Sequence, residues 1–163
     1  QEAENKWQTI KNKYRHVKLH MVGKLQSNKA RNAVQLFDYI HSLDNKKLAN
    51  KIFNFENKLN KKLKYFIQVN LAKESQKSGI LIQDLESFYK FCTQEISLDV
   101  IGLMCIPPIN TSSEKYFSQL NKLSRDLNIN ELSMGMSEDY LAAVKFESTF
   151  LRLGSSIFGK RKS

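Results

Sequence analysis

Leu132-Ser133-Met134-Gly135-Met136-Ser137-Glu138-Asp139, followed by Phe150-Leu151-Arg152-Leu153-Gly154-Ser155-Ser156-Ile157-Phe158-Gly159, is the stretch on which the fold turns. Each half reads as a short apolar strand that runs into Gly and Ser. In the first half Gly135 permits a tight turn and Ser137 stands at a helix N-cap position. Glu138 and Asp139 then fall in the first turn, where the helix dipole favours acidic groups. In the second half Arg152 sits inside an apolar strand, and Gly154 lets the backbone approach a ligand closely. Two turns able to bind phosphate, on consecutive strands, point to a phosphorylated cofactor.

Outward from this stretch, buried-strand patterns recur at 17–22, 39–43, 65–70, 99–106, 131–136 and 149–153. Helical periodicity fills the intervals. Leu81, Leu85, Phe88 and Cys92 form one stripe within 80–95, and Leu48, Ile52, Phe55 and Leu59 another within 47–59. Thr111 and Glu114 have the spacing of a capping box ahead of Phe117, Leu120, Leu123 and Leu127. Strict alternation of strand and helix implies parallel pairing with right-handed crossovers, either a doubly wound sheet or a (β/α) barrel. The barrel is favoured because polar residues gather where strands end: Gln26, Ser27 and Asn28; His41 and Ser42; Asn70; Ser133 and Ser137; Ser155 and Ser156. Six strands do not close the usual eight-stranded ring, so two strands are expected ahead of the chain, with the helix at 2–13 following the second. Pro107 and Pro108 end their strand in a stiff loop.

The 163 residues suit one domain, read as 1–163 without a linker. A balance of 26 basic to 16 acidic residues gives a net charge of +10. The lysines are spread over polar helix faces with no aromatic-interleaved patch, so a solvated basic surface is expected and no nucleic acid partner. Cys92 and Cys105 lie far apart in apolar segments, which suits reduced core thiols and gives no disulfide or zinc pattern. Neither a span of eighteen apolar residues nor a signal peptide is legible, so no membrane partner and a cytoplasmic location are expected. The chain begins at Gln1, as a processed or partial chain would. Strand alternation sends Arg152 inward, where an unpaired cation is costly, and a salt bridge to a barrel carboxylate is the structural alternative to a ligand contact. His20 and His41 lie on strands without a ligand partner at metal spacing, and read as core or rim histidines.

Several ordered motifs resemble one family: 20–29 (His20 to Lys29), His41-Ser42-Leu43-Asp44, Gln68-Val69-Asn70 with Glu74, Lys77 and Gly79, Gly102-Leu103-Met104, 132–139, and Arg152-Leu153-Gly154 with Ile157-Phe158-Gly159. The chain resembles the pyridoxal-phosphate homeostasis proteins, which are similar to the barrel domain of alanine racemase. The resemblance implies a (β/α)8 TIM barrel of the alanine racemase N-terminal type, truncated here to about six strands. It implies pyridoxal 5′-phosphate as cofactor, intracellular homeostasis of that cofactor as function, and no substrate turnover. A racemase-like enzyme is the alternative. The family's cofactor-bearing lysine belongs to a strand ahead of Gln1, so no residue of this sequence takes that role and no catalytic residue is assigned. Lys24, next to the third strand, is the nearest lysine. By resemblance Arg152 faces the pyridine nitrogen and Ser137, Gly154 and Ser155 hold the phosphate, while Asn28 bonds near the cofactor and Met104 packs on its ring. Three departures stand out: Lys24 where His is common, Glu147 where Gly is common, and Ser155 for Thr, which keeps the hydroxyl. The intact protein is expected to be a monomer, and the piece alone unstable and prone to self-associate through unpaired edges at 17–22 and 149–153.

Overall fold

Residues 2–14, 16–72, 74, 78–109 and 111–159 are described by a computed structural model. In chain order they form α1 (Glu2–Lys13), β1 (His20–Met21), α2 (Ala30–Leu36), β2 (Tyr39–Leu43), α3 (Lys46–Leu59), β3 (Lys64–Gln68), α4 (Ile82–Lys90), β4 (Asp99–Met104), α5 (Glu114–Asp126), β5 (Glu131–Met136), α6 (Tyr140–Lys145), β6 (Phe150–Arg152) and α7 (Ser155–Phe158). A 3-10 turn at Ser27–Lys29 leads into α2, and a π turn at Phe91–Glu95 extends α4. Lys77 lies outside the described residues.

All six strands pair in parallel in the order β1-β2-β3-β4-β5-β6, as strand–helix alternation requires. The outward residues of β2 to β5, Ile40, Tyr65, Ile67, Val100, Leu103, Leu132 and Met134, are buried under the helices. The helices answer with Leu48 and Ile52 from α3, Leu85 and Phe88 from α4, and Phe117 and Leu120 from α5. One buried carboxylate locks this layer. Glu56 of α3, 1% exposed, accepts from the Leu63 backbone N–H at 2.7 Å and from the Tyr65 hydroxyl at 2.8 Å.

The inner face curls until the first and last strands meet through their side chains. The rings of His20 on β1 and Phe150 on β6 lie 5.8 Å apart, and Phe66 of β3 meets Phe150 edge-on at 5.0 Å. Only Gly fits at position 102 on this face. A Cβ there would lie 2.1 Å from the Glu131 carbonyl oxygen and 2.7 Å from the Phe66 ring.

Several local expectations are corrected. The strands at 17–22, 65–70, 99–106 and 149–153 contract to His20–Met21, Lys64–Gln68, Asp99–Met104 and Phe150–Arg152, because the ladder holds only where neighbours overlap. The helix at 80–95 begins at Ile82, which leaves Leu81 39% exposed at its N-cap, while Cys92 is buried in the π turn. The Thr111 and Glu114 capping box is not formed. Thr111 turns back to donate to the Pro108 carbonyl at 3.0 Å, and Ser113 occupies the cap. The Phe150 cluster packs on the inner face, and β1 and β6 end the sheet, as the truncation to about six strands implies.

Candidate functional site

The carboxyl ends of β4, β5 and β6 surround a cavity of about 700 Å³, lined by Pro107, Pro108 and Ile109 after β4, by Met136, Ser137 and Asp139 after β5, and by Arg152, Gly154 and Ser155 of β6 and its turn. The turn from β5 into α6 is set by its backbone. Gly135 adopts φ 90°, and a Cβ there would lie 2.6 Å from that of Ala143, so only glycine lets α6 settle onto the strand. Asp139 then accepts from the Met136 N–H at 2.7 Å and closes the turn. Asp139, not Ser137, is the residue at the N-cap of α6, and Glu138 and Asp139 precede the helix rather than opening it. The N-cap expected at Ser137 is therefore corrected.

Released from capping, the Ser137 hydroxyl is the point where the two turns meet. Its oxygen accepts from the Gly154 N–H at 3.1 Å and the Ser156 N–H at 3.3 Å, and lies 3.1 Å from the Ser156 hydroxyl. Three donors thus converge on one oxygen, as they would on a phosphate oxygen. No atom lies within 4 Å of the position a Cβ would take on Gly154, so there is open space beside these donors. Ser155 lines the same cavity and is exposed.

Arg152 lines the same cavity. Its Nη1 donates to the Ser133 hydroxyl at 2.8 Å and its Nη2 to the Cys105 carbonyl at 2.9 Å. Among the described residues no carboxylate pairs with it, so the salt-bridge alternative is not what forms. Burial lowers the pKa of the guanidinium, and the negative field of Asp139 opposes that shift. The Cys105 thiol beside it is pushed up to about 12 by burial and stays neutral.

Arg152, Ser137, Gly154 and Ser155 are therefore brought to one cavity. Asn28 and Met104 are not. Asn28 is exposed in the 3-10 turn, and Met104 is fully buried in β4, and neither lines the cavity. Lys24 lies at a second cavity of about 340 Å³, with Gln68, Asn70 and Ser78, which shares the Pro107–Pro108 wall. The polar contacts behind Arg152 were not legible as a unit. His41, 2% exposed, stacks on Phe66 and places its two ring nitrogens 2.9 Å from His20 Nδ1 and 2.8 Å from Ser133 Oγ. Strand parity places His41, Ser133 and Arg152 on the inner face, but not in contact with one another.

The family profile described as alanine racemase, N-terminal domain, matches residues 2–162. The pyridoxal phosphate homeostasis protein of Synechocystis sp. is 36% identical over 170 residues, a match that covers 99% of this chain and 78% of that protein. Among solved structures, PipY of Synechococcus elongatus with pyridoxal phosphate bound superposes with a TM-score of 0.85 at 33% identity, over 93% of this chain and 75% of that one. Alanine racemase of Corynebacterium glutamicum, at 11% identity, superposes with a TM-score of 0.70 over 98% of this chain and 46% of that one, and shares the fold.

Proposed function

The chain belongs to the family of the alanine racemase N-terminal domain, within its pyridoxal phosphate homeostasis branch, and from that premise we propose that it holds pyridoxal 5′-phosphate in the cavity between β4 and β6 and serves to store or deliver it. The observation that carries this reading is the convergence of the Gly154 and Ser156 N–H groups and the Ser156 hydroxyl on Ser137, in the same cavity as a half-buried guanidinium that pairs with no carboxylate among the described residues. The donor set fits a phosphate at one end and an acceptor nitrogen at the other. Hydroxyls and backbone N–H groups of Ser137, Gly154, Ser155 and Ser156 would take the phosphate without a lysine. Arg152, which donates and never accepts, would face the ring nitrogen.

Bound here, pyridoxal phosphate would supply an aldehyde and an electron-withdrawing ring. A guanidinium at the ring nitrogen leaves that nitrogen unprotonated and the ring a weaker electron sink, which favours holding over turnover. The role of the chain's own residues is to bind, orient and partly shield the group, and no residue is assigned a catalytic step. The 163 residues act as one binding unit, and the buried free thiols Cys92 and Cys105 suit a reducing, cytoplasmic setting. Among the described residues no helix is long and apolar enough to cross a membrane.

Equilibrium titration with pyridoxal 5′-phosphate and with pyridoxal tests this reading. Saturable binding of the phosphate ester, at least tenfold tighter than pyridoxal, is expected. Equal affinity for the two, or no saturable binding, overturns it.

A further inference from the structure

Four polar side chains, one from each of β1, β2, β5 and β6, cross the inner face and end at the guanidinium. His20 Nδ1 lies 2.9 Å from His41 Nε2, His41 Nδ1 lies 2.8 Å from Ser133 Oγ, and Arg152 Nη1 donates to Ser133 Oγ at 2.8 Å. Ser133 is 0% exposed and His41 2%, so each hydrogen needs a partner inside the protein. Arg152 is a donor only, so the Ser133 oxygen must accept from it. If His41 carried its hydrogen on Nδ1, Ser133 would accept twice, and its own hydroxyl hydrogen would have no acceptor among the described residues. One arrangement satisfies every group. The Ser133 hydroxyl donates to His41 Nδ1, His41 Nε2–H donates to His20 Nδ1, and His20 keeps its hydrogen on Nε2.

We propose that Ser133 and His41 are positioning residues for Arg152, and that His20 sets the direction of the hydrogen bonds that hold it. The proposal rests on the reading of Arg152 as the partner of the cofactor's ring nitrogen and deepens it. A proton taken up at His20 Nδ1 turns that nitrogen from acceptor to donor. His41 must then carry its hydrogen on Nδ1, directed at Ser133, where it competes with Arg152 for the same oxygen and strips the hydroxyl of its acceptor. The net change is one proton gained by the chain, with no heavy-atom bond made or broken. The result is a guanidinium less firmly placed at acid pH.

The surroundings make His20 the point of entry. His20 is half-buried and feels Asp38, which is itself paired with Lys11 at 2.9 Å and lies in the field of Lys18 and Lys61. Among the described residues the charged groups acting on His41 are His20 and Arg152, and its ring stacks on Phe66 and meets Phe150 edge-on. Arg152 faces Cys105 and Asp139. Burial lowers both histidine pKa values, that of His41 to about 3, so on acidification His20 takes up its proton before His41 does.

Two measurements on the chain decide this. Nitrogen-15 NMR of the imidazole rings at pH 7.5 is expected to show His41 as the Nε2–H tautomer, and an Nδ1–H tautomer overturns the inference without touching the functional reading. Pyridoxal 5′-phosphate is then titrated between pH 4.5 and 7.5 into wild type, His20→Gln and Ser133→Ala. Wild-type affinity is expected to fall at least fivefold more across that range than that of His20→Gln, whose amide oxygen still accepts from His41. Ser133→Ala is expected to bind about tenfold more weakly at pH 7.5 while still giving a cooperative unfolding transition well above the titration temperature. Parallel pH profiles for wild type and His20→Gln, or full affinity in Ser133→Ala, overturn the positioning role. Failure of wild type to bind the cofactor at any pH overturns the functional reading, and the tautomer still decides the direction of the chain.

Discussion

The two faces of the sheet solve opposite problems. Under the helices, Ile40, Tyr65, Ile67, Leu103 and Leu132 present an apolar layer whose burial supplies most of the driving force. The charged group buried there among the described residues, Glu56, is matched by a backbone N–H, a hydroxyl and the Lys62 ammonium. Across the same strands the inner face carries His20, His41, Ser133 and Arg152 among Phe66 and Phe150. Those polar groups gain little for stability, since water would serve them nearly as well. Their arrangement fixes where a cation points. A strand whose parity separates aliphatic from polar residues therefore divides stability from recognition along one backbone.

Substitutions that deform both faces at once should have the largest effect. Gly102→Ala would place a Cβ within 2.1 Å of Glu131 O and against Phe66, forcing β4 away from β5. A loss upward of about 3 kcal/mol is expected in urea unfolding, the severe end of overpacking, and a loss below about 1 kcal/mol would show that the strands move apart easily. Glu56→Ala touches the outer face alone. It leaves the Leu63 N–H and the Tyr65 hydroxyl buried without their acceptor, at a cost of about 2–3 kcal/mol in the same assay.

On the inner face the effect should move from stability to binding. Arg152→Ala removes the donor proposed for the ring nitrogen and should weaken retention of pyridoxal phosphate by about 1.5–3 kcal/mol, a charge-assisted hydrogen bond's worth. Equal affinity in wild type and variant would place the ring elsewhere.

The inner face should also make stability depend on pH. The folded-state pKa of His41 is lowered from 6.5 to about 3 by burial first and by the charges of His20 and Arg152 next. The unfolded chain therefore binds the extra proton first, and the contribution of neutral His41 is fully present above about pH 6.5 and lost as pH falls toward 3. The slope in that window is at most about 1.4 kcal/mol per pH unit. Unfolding free energies of wild type and His41→Gln, compared between pH 7 and 4, should converge on the acid side by this amount. A constant difference would mean that His41 is not buried neutral.

The outer face was legible in the sequence because its signal is local. The stripe of Leu48 and Ile52 on α3 and the apolar parity of β3 and β5 are repeats within a few residues, and both appear as read. The inner face was legible only one residue at a time. Arg152 points inward as strand parity requires, yet its partners Ser133 and Cys105 lie 19 and 47 residues away, and the contact of His20 with His41 depends on the curl of β1 against β2. Caps failed for a related reason. Thr111 is taken by an equally local acceptor, the Pro108 carbonyl three residues back, whereas at Ser137 the backbone of the β6 turn, a contact across two turns, outcompeted the local cap.

The mouth of the inner face yields the smallest expected effect and the sharpest distinction. Ser137 and Ser155 both line the cavity and both carry a hydroxyl, so composition treats them alike. Geometry does not. Ser137 Oγ joins the turn after β5 to the one after β6 through Gly154 and Ser156, whereas Ser155 is exposed and its hydroxyl makes no bond among the described residues. Removing the Ser137 hydroxyl should free two backbone donors and loosen both turns, with a loss of about 1–1.5 kcal/mol in cofactor affinity. Ser155→Ala should cost no more than about 0.5 kcal/mol, because its contribution to a phosphate is one exposed hydroxyl in competition with water. Parallel titrations with pyridoxal 5′-phosphate measure the pair. If Ser155→Ala proves the more damaging, the phosphate sits over the β6 turn alone, and the junction at Ser137 is a structural clasp rather than part of the cradle.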